Sequence, residues 1–251
     1  MATRKDYLMI NYQIEFLQPF HLGTGLPNGL IHRAIKKDKN GYLYVPGSTI
    51  KGVLRHTCEK IAQLLSLPVT NPHNEQEAIL SYKNEPSIIE RVFGSRYRES
   101  TLFFDNAYLN EKSKEFLKSM TGESFEDKKL RSFQTFTRTQ TSISRLLGTV
   151  KEQALWTSEF GIHGLIFQGK ITGYLEGIID DFSEPEGSFE LTLLVCGLYA
   201  IDQIGANCST GGGTAKINLE KLKLNDDILP PKTYIEKLGN FVCYQDMREE
   251  K

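Results

Sequence analysis

The chain has 251 residues, enough for one large domain or two small ones. Apolar residues make up 39% and charged residues 24%, with ordinary glycine and proline content, which excludes a globally disordered chain. The 30 Lys and Arg are balanced by 31 Asp and Glu, a formal charge of −1, which excludes a generic polycation; a nucleic-acid surface has to come from local clustering. Clusters are present. Residues 128–151 hold Lys128, Lys129, Arg131, Arg138, Arg145 and Lys151 with no acid, and residues 33–39 hold Arg33, Lys36, Lys37 and Lys39 against Asp38 alone. Such runs are more often solvated faces than binding sites.

The elements follow in chain order. Residues 8–17 alternate as a first strand, which Pro19 ends. Gly23-Thr24-Gly25 lacks the third glycine and the strand–helix frame of a dinucleotide site. Residues 30–37 and 41–45 predict a hairpin turned by Asp38-Lys39-Asn40-Gly41. A helix runs from near Thr49 to about Leu65, with Ser48 or Thr49 as its N-cap. Residues 68–87 form a polar loop insertion. A short helix over 87–93 precedes a strand over 101–109, and residues 110–132 are poorly patterned.

Residues 133–145 are rich in threonine and aromatic residues but have no strong apolar face, which fits a protruding hairpin better than a core strand. Residues 146–149 are its tip and 154–160 its return arm. Trp156, the only tryptophan, is read as a core anchor in preference to a base-stacking platform. Residues 165–177 alternate as a strand, and Ser188 caps a buried helix over 189–204.

Four cysteines (Cys58, Cys196, Cys208, Cys243) stand far apart with no C-x-x-C, which argues against a disulfide scaffold or zinc ribbon; Cys58 and Cys196 read as small buried residues. The N-terminus has no apolar signal core and no run is long enough to span a membrane, so a cytoplasmic location is expected.

Two places invite an anion. At Val45-Pro46-Gly47-Ser48 a strand turns into a helix, putting N–H groups and the Ser48 hydroxyl beside Lys51 and Arg55. Most such junctions bind nothing, and the Gly-Lys-Ser/Thr order of a Walker loop is absent. The second is the bend of Gly211, Gly212 and Gly213, beside Ser209, Thr210 and Lys216. Tight turns explain one or two glycines; three together point to a bound phosphate chain.

In their order, four motifs resemble the RAMP superfamily of CRISPR-associated proteins, and most of all the backbone subunits of type III (Csm/Cmr-like) effector complexes. They are Phe20-His21-Leu22-Gly23, the stretch from Val45 to Arg55, the run from Thr137-Arg138-Thr139 through Arg145 to Glu159, and Ile204-Gly205 with Gly211-Gly212-Gly213. The resemblance covers nearly the whole chain and implies one α+β domain over 1–251. Its palm would be a modified RRM, ferredoxin-like, with an antiparallel sheet, and residues 133–160 would be a β-hairpin thumb. The implied partners are a CRISPR guide RNA, a target RNA and other subunits of the complex, with no membrane. Arg33, Ser48, Lys51, Arg55, Arg138, Arg145 and the three glycines would contact RNA. The strand–helix corner and the glycine bend would then face one groove. A guide held by its phosphates is held whatever its sequence, and base pairing reads the target.

One departure bears on catalysis. Cutting subunits resemble one another in a Gly-Ile-Asp before the Pro-Gly-Ser turn; here Leu30-Ile31-His32 aligns, with His32 where the Asp is expected. Imidazole is a poor ligand for Mg²⁺, so the expectation is a guide-binding subunit that does not cut, with no metal or other cofactor. Two alternatives stay open. One is an active, Mg²⁺-dependent target-RNA endonuclease using another acid such as Asp38, itself read first as a turn residue. The other is a stand-alone, metal-independent guide-processing ribonuclease with histidine chemistry. The plainest alternative is an α+β protein with no RNA role.

Overall fold

Strand β1 (Arg4–Phe16) lies at the centre of the sheet because one of its faces is continuously apolar. Leu8, Ile10, Tyr12, Ile14 and Phe16 are fully buried, while Tyr7, Met9, Asn11, Gln13 and Glu15 take the other face. The computed structural model describes residues 4–69, 71, 74–76, 79, 86–121, 131–177, 189–236 and 238.

Six further strands join β1: β2 (Tyr44–Val45), β3 (Leu102–Phe104), β4 (Ala107–Leu109), β7 (Ile166–Gly177), β8 (Ala215–Leu224) and β9 (Asp227–Leu229). Their order is β2-β4-β7-β1-β8-β9, with β3 also pairing to β7, and every pairing is antiparallel. Helix α1 (Gly47–Leu64) follows β2, and helix α4 (Phe189–Tyr199) links β7 to β8. Both bury against the same sheet face, leaving the other open. Strands β1 and β4 run parallel with β7 between them, the split β-α-β arrangement of a ferredoxin-like α+β palm. Strands β5 (Thr135–Ile143) and β6 (Val150–Gly161) form a separate two-stranded hairpin.

Several sequence expectations change. Helix α1 starts at Gly47, with Pro46 as an N-cap that makes no side-chain bond, so Ser48 and Thr49 lie in its first turn. The strand expected over 101–109 breaks at Asp105-Asn106 into β3 and β4. There the Asn106 side chain accepts the Gly47 N–H at 2.9 Å, which pins the start of α1 to the sheet edge. The unpatterned stretch after 110 contains helix α3 (Glu111–Thr121), started by Asn110 Oδ1 accepting the Ser113 N–H. Only Ser113 and Leu117 of its described side chains are buried, too few to give a clear period. Helix α4 ends at Tyr199, five residues early, because Gln203 and Ile204 turn back to bond the glycine bend. The expected hairpin over 30–45 keeps its turn, where Asp38 Oδ1 accepts N–H groups from Asn40 and Tyr42, but its 30–37 arm makes only isolated bridges. Trp156 is not a core anchor: it is half-buried on the hairpin, under the Arg33 guanidinium.

Other expectations hold. Ser87 caps α2 (Ile88–Phe93) in a capping box with Glu90. Helix α4 is buried on all sides. Cys58 is buried where α1 crosses α4, and the lack of a side chain at Gly197 makes room for its sulfur. Most of the 68–87 insertion, Ser188, Cys243, Lys128 and Lys129 lie outside the described residues.

Two glycines of α1 give a matched test. A Cβ on Gly47 would run into the Phe104 carbonyl oxygen, whereas one on Gly52, exposed in mid-helix, would meet nothing within 4 Å. Gly47→Ala is expected to destabilise the fold by about 1–3 kcal/mol. Gly52→Ala should stabilise it by roughly 0.5–1 kcal/mol. Chemical denaturation midpoints read both, and equal shifts would refute the packing argument.

Candidate nucleic-acid interface

The strand–helix corner is built on close backbone approach. With its Gly47 N–H taken by Asn106, α1 presents the exposed Ser48 and, one turn on, Lys51. The Lys51 ammonium lies 5.9 Å from the centre of the Phe104 ring. Burial, and then the neighbouring Arg55, lower its pKa from the ordinary lysine value. Both effects disfavour the cation, and an anion beside it would favour it. Arg55 points elsewhere: Nε donates to Glu59 at 2.8 Å and a terminal nitrogen donates to the Gly94 carbonyl at 3.0 Å, clamping the end of α2. The corner thus offers Ser48 and Lys51, while the Arg55 guanidinium is engaged inside the fold.

The hairpin brings other candidates together. On one face Arg138 lies over Phe136 and Phe160, at 5.3 and 5.7 Å from the ring centres. The chain at 31–35 runs beside β6, with His32 and Arg33 N–H groups donating to Thr157 O and the Glu159 N–H to Arg33 O. This places Arg33 across from Ser158, itself paired with Arg138. Two arginines more than a hundred positions apart therefore share a rail of aromatic rings. The tip is apolar: Leu146 is 92% and Leu147 72% exposed, and Arg145 stands beside them.

The glycine bend is a packing device. The Gly211, Gly212 and Gly213 N–H groups donate to Cys208, Asn207 and Pro19 carbonyls. Gly211 and Gly213 have φ of 82° and 71°, and a Cβ on Gly213 would meet the Ile204 carbonyl. The three N–H groups are thus not available to cradle a phosphate, although Gly211 is exposed with open space around it. Bend and corner do not meet in one groove. The bend packs on residues 19–21 at the start of β8, and the corner on the β3–β4 break. From β4 to β8 is three strand spacings, roughly 14 Å.

His32 is exposed, and its Nδ1 accepts the Thr157 N–H at 3.1 Å, which places the ring proton on Nε2. In that tautomer the outward nitrogen donates a hydrogen bond and cannot act as a base. The Asp38 carboxylate caps its own turn. Among the described residues no three His, Cys, Asp or Glu side chains converge into a group that could hold a metal ion, and His32 itself offers an imidazole where Mg²⁺ prefers oxygen ligands.

A family model described as the RAMP superfamily matches residues 13–216. The chain belongs to the RAMP superfamily. Among solved structures it is similar to a chain of "Type III-B Cmr-beta bound to cognate target RNA", with TM-score 0.53 and 14% identity over 84% of this chain and 96% of that one. It is also similar to a chain of the apo state of Type III-B Cmr-beta, with TM-score 0.53 and 15% identity over 85% and 97%. No curated protein matches it in sequence. Among the described residues of this RAMP chain no helix is long and apolar enough to cross a membrane.

Sequence reasoning missed the residue that fixes the RAMP hairpin to the palm. Glu159 is buried and accepts from Lys37 Nζ at 2.6 Å and the Ile35 N–H at 3.1 Å. Burial raises its pKa, but Lys37, the Ile35 N–H and Thr135 outweigh burial and leave it below the ordinary 4.5. A depressed carboxylate stabilises the fold at pH above the unfolded value, and that contribution is lost as pH falls through the folded value. Glu159→Gln is expected to cost about 2 kcal/mol at pH 7. The gap from wild type should close as pH drops below 4.5. Urea titrations across pH measure this; a gap that is constant with pH would refute the clasp.

Proposed function

We propose that this RAMP protein is a guide-RNA-binding backbone subunit of a cytoplasmic type III CRISPR effector complex. It would hold guide and target RNA alongside other subunits without cutting at its own site. The observation that carries the reading is the hairpin: an arginine-faced, apolar-tipped projection from a RAMP palm, with Arg33 and Arg138 held on one aromatic rail. Planar guanidinium groups beside rings suit a sugar–phosphate strand and the bases it carries. The exposed tip leucines suit insertion between bases, since apolar wedges unstack and splay a duplex. Ser48 and Lys51 add a second phosphate contact at the corner, made without regard to sequence. The non-cutting reading is supported by His32, whose outward nitrogen carries a proton, and by the capped carboxylate of Asp38.

The guide contacts predict a contrast between two neighbouring cations. In the assembled complex, Lys51→Ala should weaken guide RNA binding and lower the salt slope of log Kd by about one unit. Arg55→Ala should instead lower the thermal midpoint of the isolated chain, because it unclamps α2. Filter binding at a series of salt concentrations, with melting curves, separates the two; equal salt slopes for wild type and Lys51→Ala would remove the corner from the interface. For catalysis, complex with Mg²⁺ should leave target RNA uncut opposite this subunit, and the chain alone in EDTA should leave repeat RNA intact. A cut in either assay would favour the corresponding ribonuclease reading.

A further inference from the structure

The sheet face away from the helices carries aromatic rings that neither the corner nor the hairpin uses. Strand register arranges its lower end in rows. Tyr7 of β1 faces Tyr174 of β7. In the next row Phe103 of β3, Thr172, Met9 and Lys223 of β8 stand side by side. The third row holds Lys170, Asn11 and Lys221. The rings are exposed: Phe103 is 66%, Tyr174 50% and Tyr7 37% accessible. Tyr7 and Tyr174 meet edge to face at 5.4 Å, so flat ring surface remains uncovered. The backbone beneath is fixed, with the Tyr7 N–H donating to Asn225 Oδ1 and the Tyr7 carbonyl accepting from the Asn225 N–H.

We propose that this lower open face is a second RNA surface, on which two or three unpaired bases stack against Tyr7, Tyr174 and Phe103. Rings on β1 and its neighbour β7, the two central palm strands, are the arrangement by which RRM sheets read single-stranded RNA. Cations are within reach of the same occupant. Lys223 stands in the Phe103 row and Lys5, in register with Glu176, lies beyond the tyrosine pair, while Lys221 is in the third row, where Lys170 and Asn11 line a polar hollow with the carboxylates Asp105 and Glu220. Glu220 there accepts from Gln13 Nε2. An anionic strand confined to the first two rows meets the rings with Lys5 and Lys223 at their borders, and the hollow with Asp105 and Glu220 begins one row on. Phosphates supply charge and bases supply stacking, a combination that an apolar protein partner would not need. The surface is separate from the hairpin, while the corner lies across the sheet from it, with Lys51 over Phe104, the neighbour of Phe103 in β3. The hairpin leaves the upper end of the sheet, eight residues along β1 from Tyr7, or roughly 26 Å away.

The test uses the 251-residue chain with a fluorescein-labelled oligouridine and a 4-thiouridine version for photo-crosslinking. Each ring removed is expected to weaken anisotropy-measured affinity roughly tenfold, the loss typical of one base–aromatic stack. Tyr7→Phe and Tyr174→Phe should bind like wild type, since the ring and not the hydroxyl stacks. Lys223→Ala should lower the salt slope by about one unit, while Tyr7→Ala/Phe103→Ala/Tyr174→Ala leaves it unchanged. Crosslinks should map to β1, β3 and β7. Crosslinks confined to the hairpin and corner, with wild-type affinity in the triple variant, would overturn this surface and leave the guide-binding reading standing. Crosslinks confined to the sheet would do the reverse. A triple variant that keeps its RNA affinity but no longer associates with a second copy or another subunit would make the face a protein contact and also overturn the proposal.

Discussion

Residues 19–22 hold this molecule together without belonging to a helix or strand. The Pro19 carbonyl accepts from Gly213, Phe20 exchanges two bonds with Gly161, the His21 carbonyl accepts from Ala206, and the Leu22 carbonyl accepts from Lys36. His21 Nδ1–H also donates to the Glu159 carbonyl at 2.6 Å. Four backbone positions thus tie the glycine bend, the hairpin base and the 31–37 rail to the end of β1. A buried polar backbone requires partners, and here they come from three segments remote in sequence. Phe20 adds packing, stacking on Phe16 at 3.8 Å and lying flat where Gly161 has no side chain.

This junction sorts the cations. Lys37 is engaged by Glu159 and Arg55 by Glu59 and Gly94, so both hold the fold. Arg33 and Arg138 instead lie over rings, with their charges turned outward on the hairpin, and Lys51 lies over Phe104. A cation over a ring keeps its donors for a ligand, whereas one in a bidentate or buried pair does not. Motif and charge run alone cannot separate the two groups, because the distinction rests on the neighbour each side chain finds in space.

Much of the palm was readable. The alternation of β1 and β7, the helix after Pro46-Gly47, the Ser87 capping box and the wholly apolar α4 all follow from period and local chemistry. The hairpin was readable from its threonine-rich, faceless composition. What failed has identifiable reasons. Helix α3 hides behind only two buried positions. The β3–β4 break at Asp105-Asn106 exists because α1 needs the Asn106 side chain, a partner 59 positions away. Trp156 stays out of the core because its strand belongs to the separate hairpin, where Arg33, on another segment, lies over it. The three glycines suggested a phosphate site, yet the packing of the bend on Pro19 and Ile204 accounts for them.

The sequence by itself determined most of the palm elements and the hairpin, the RAMP motifs, the replacement at position 32 and the residue types able to meet RNA. Periodicity, turn chemistry and the absence of a carboxylate are local properties, legible in a linear string. Only the tertiary structure decided which of those residues are available: it joined Arg33 to Arg138, drew Arg55 inward, closed the glycine N–H groups and laid Tyr7, Phe103 and Tyr174 side by side. Each of these outcomes depends on contacts between distant segments, and strand register, which no local pattern specifies, sets them.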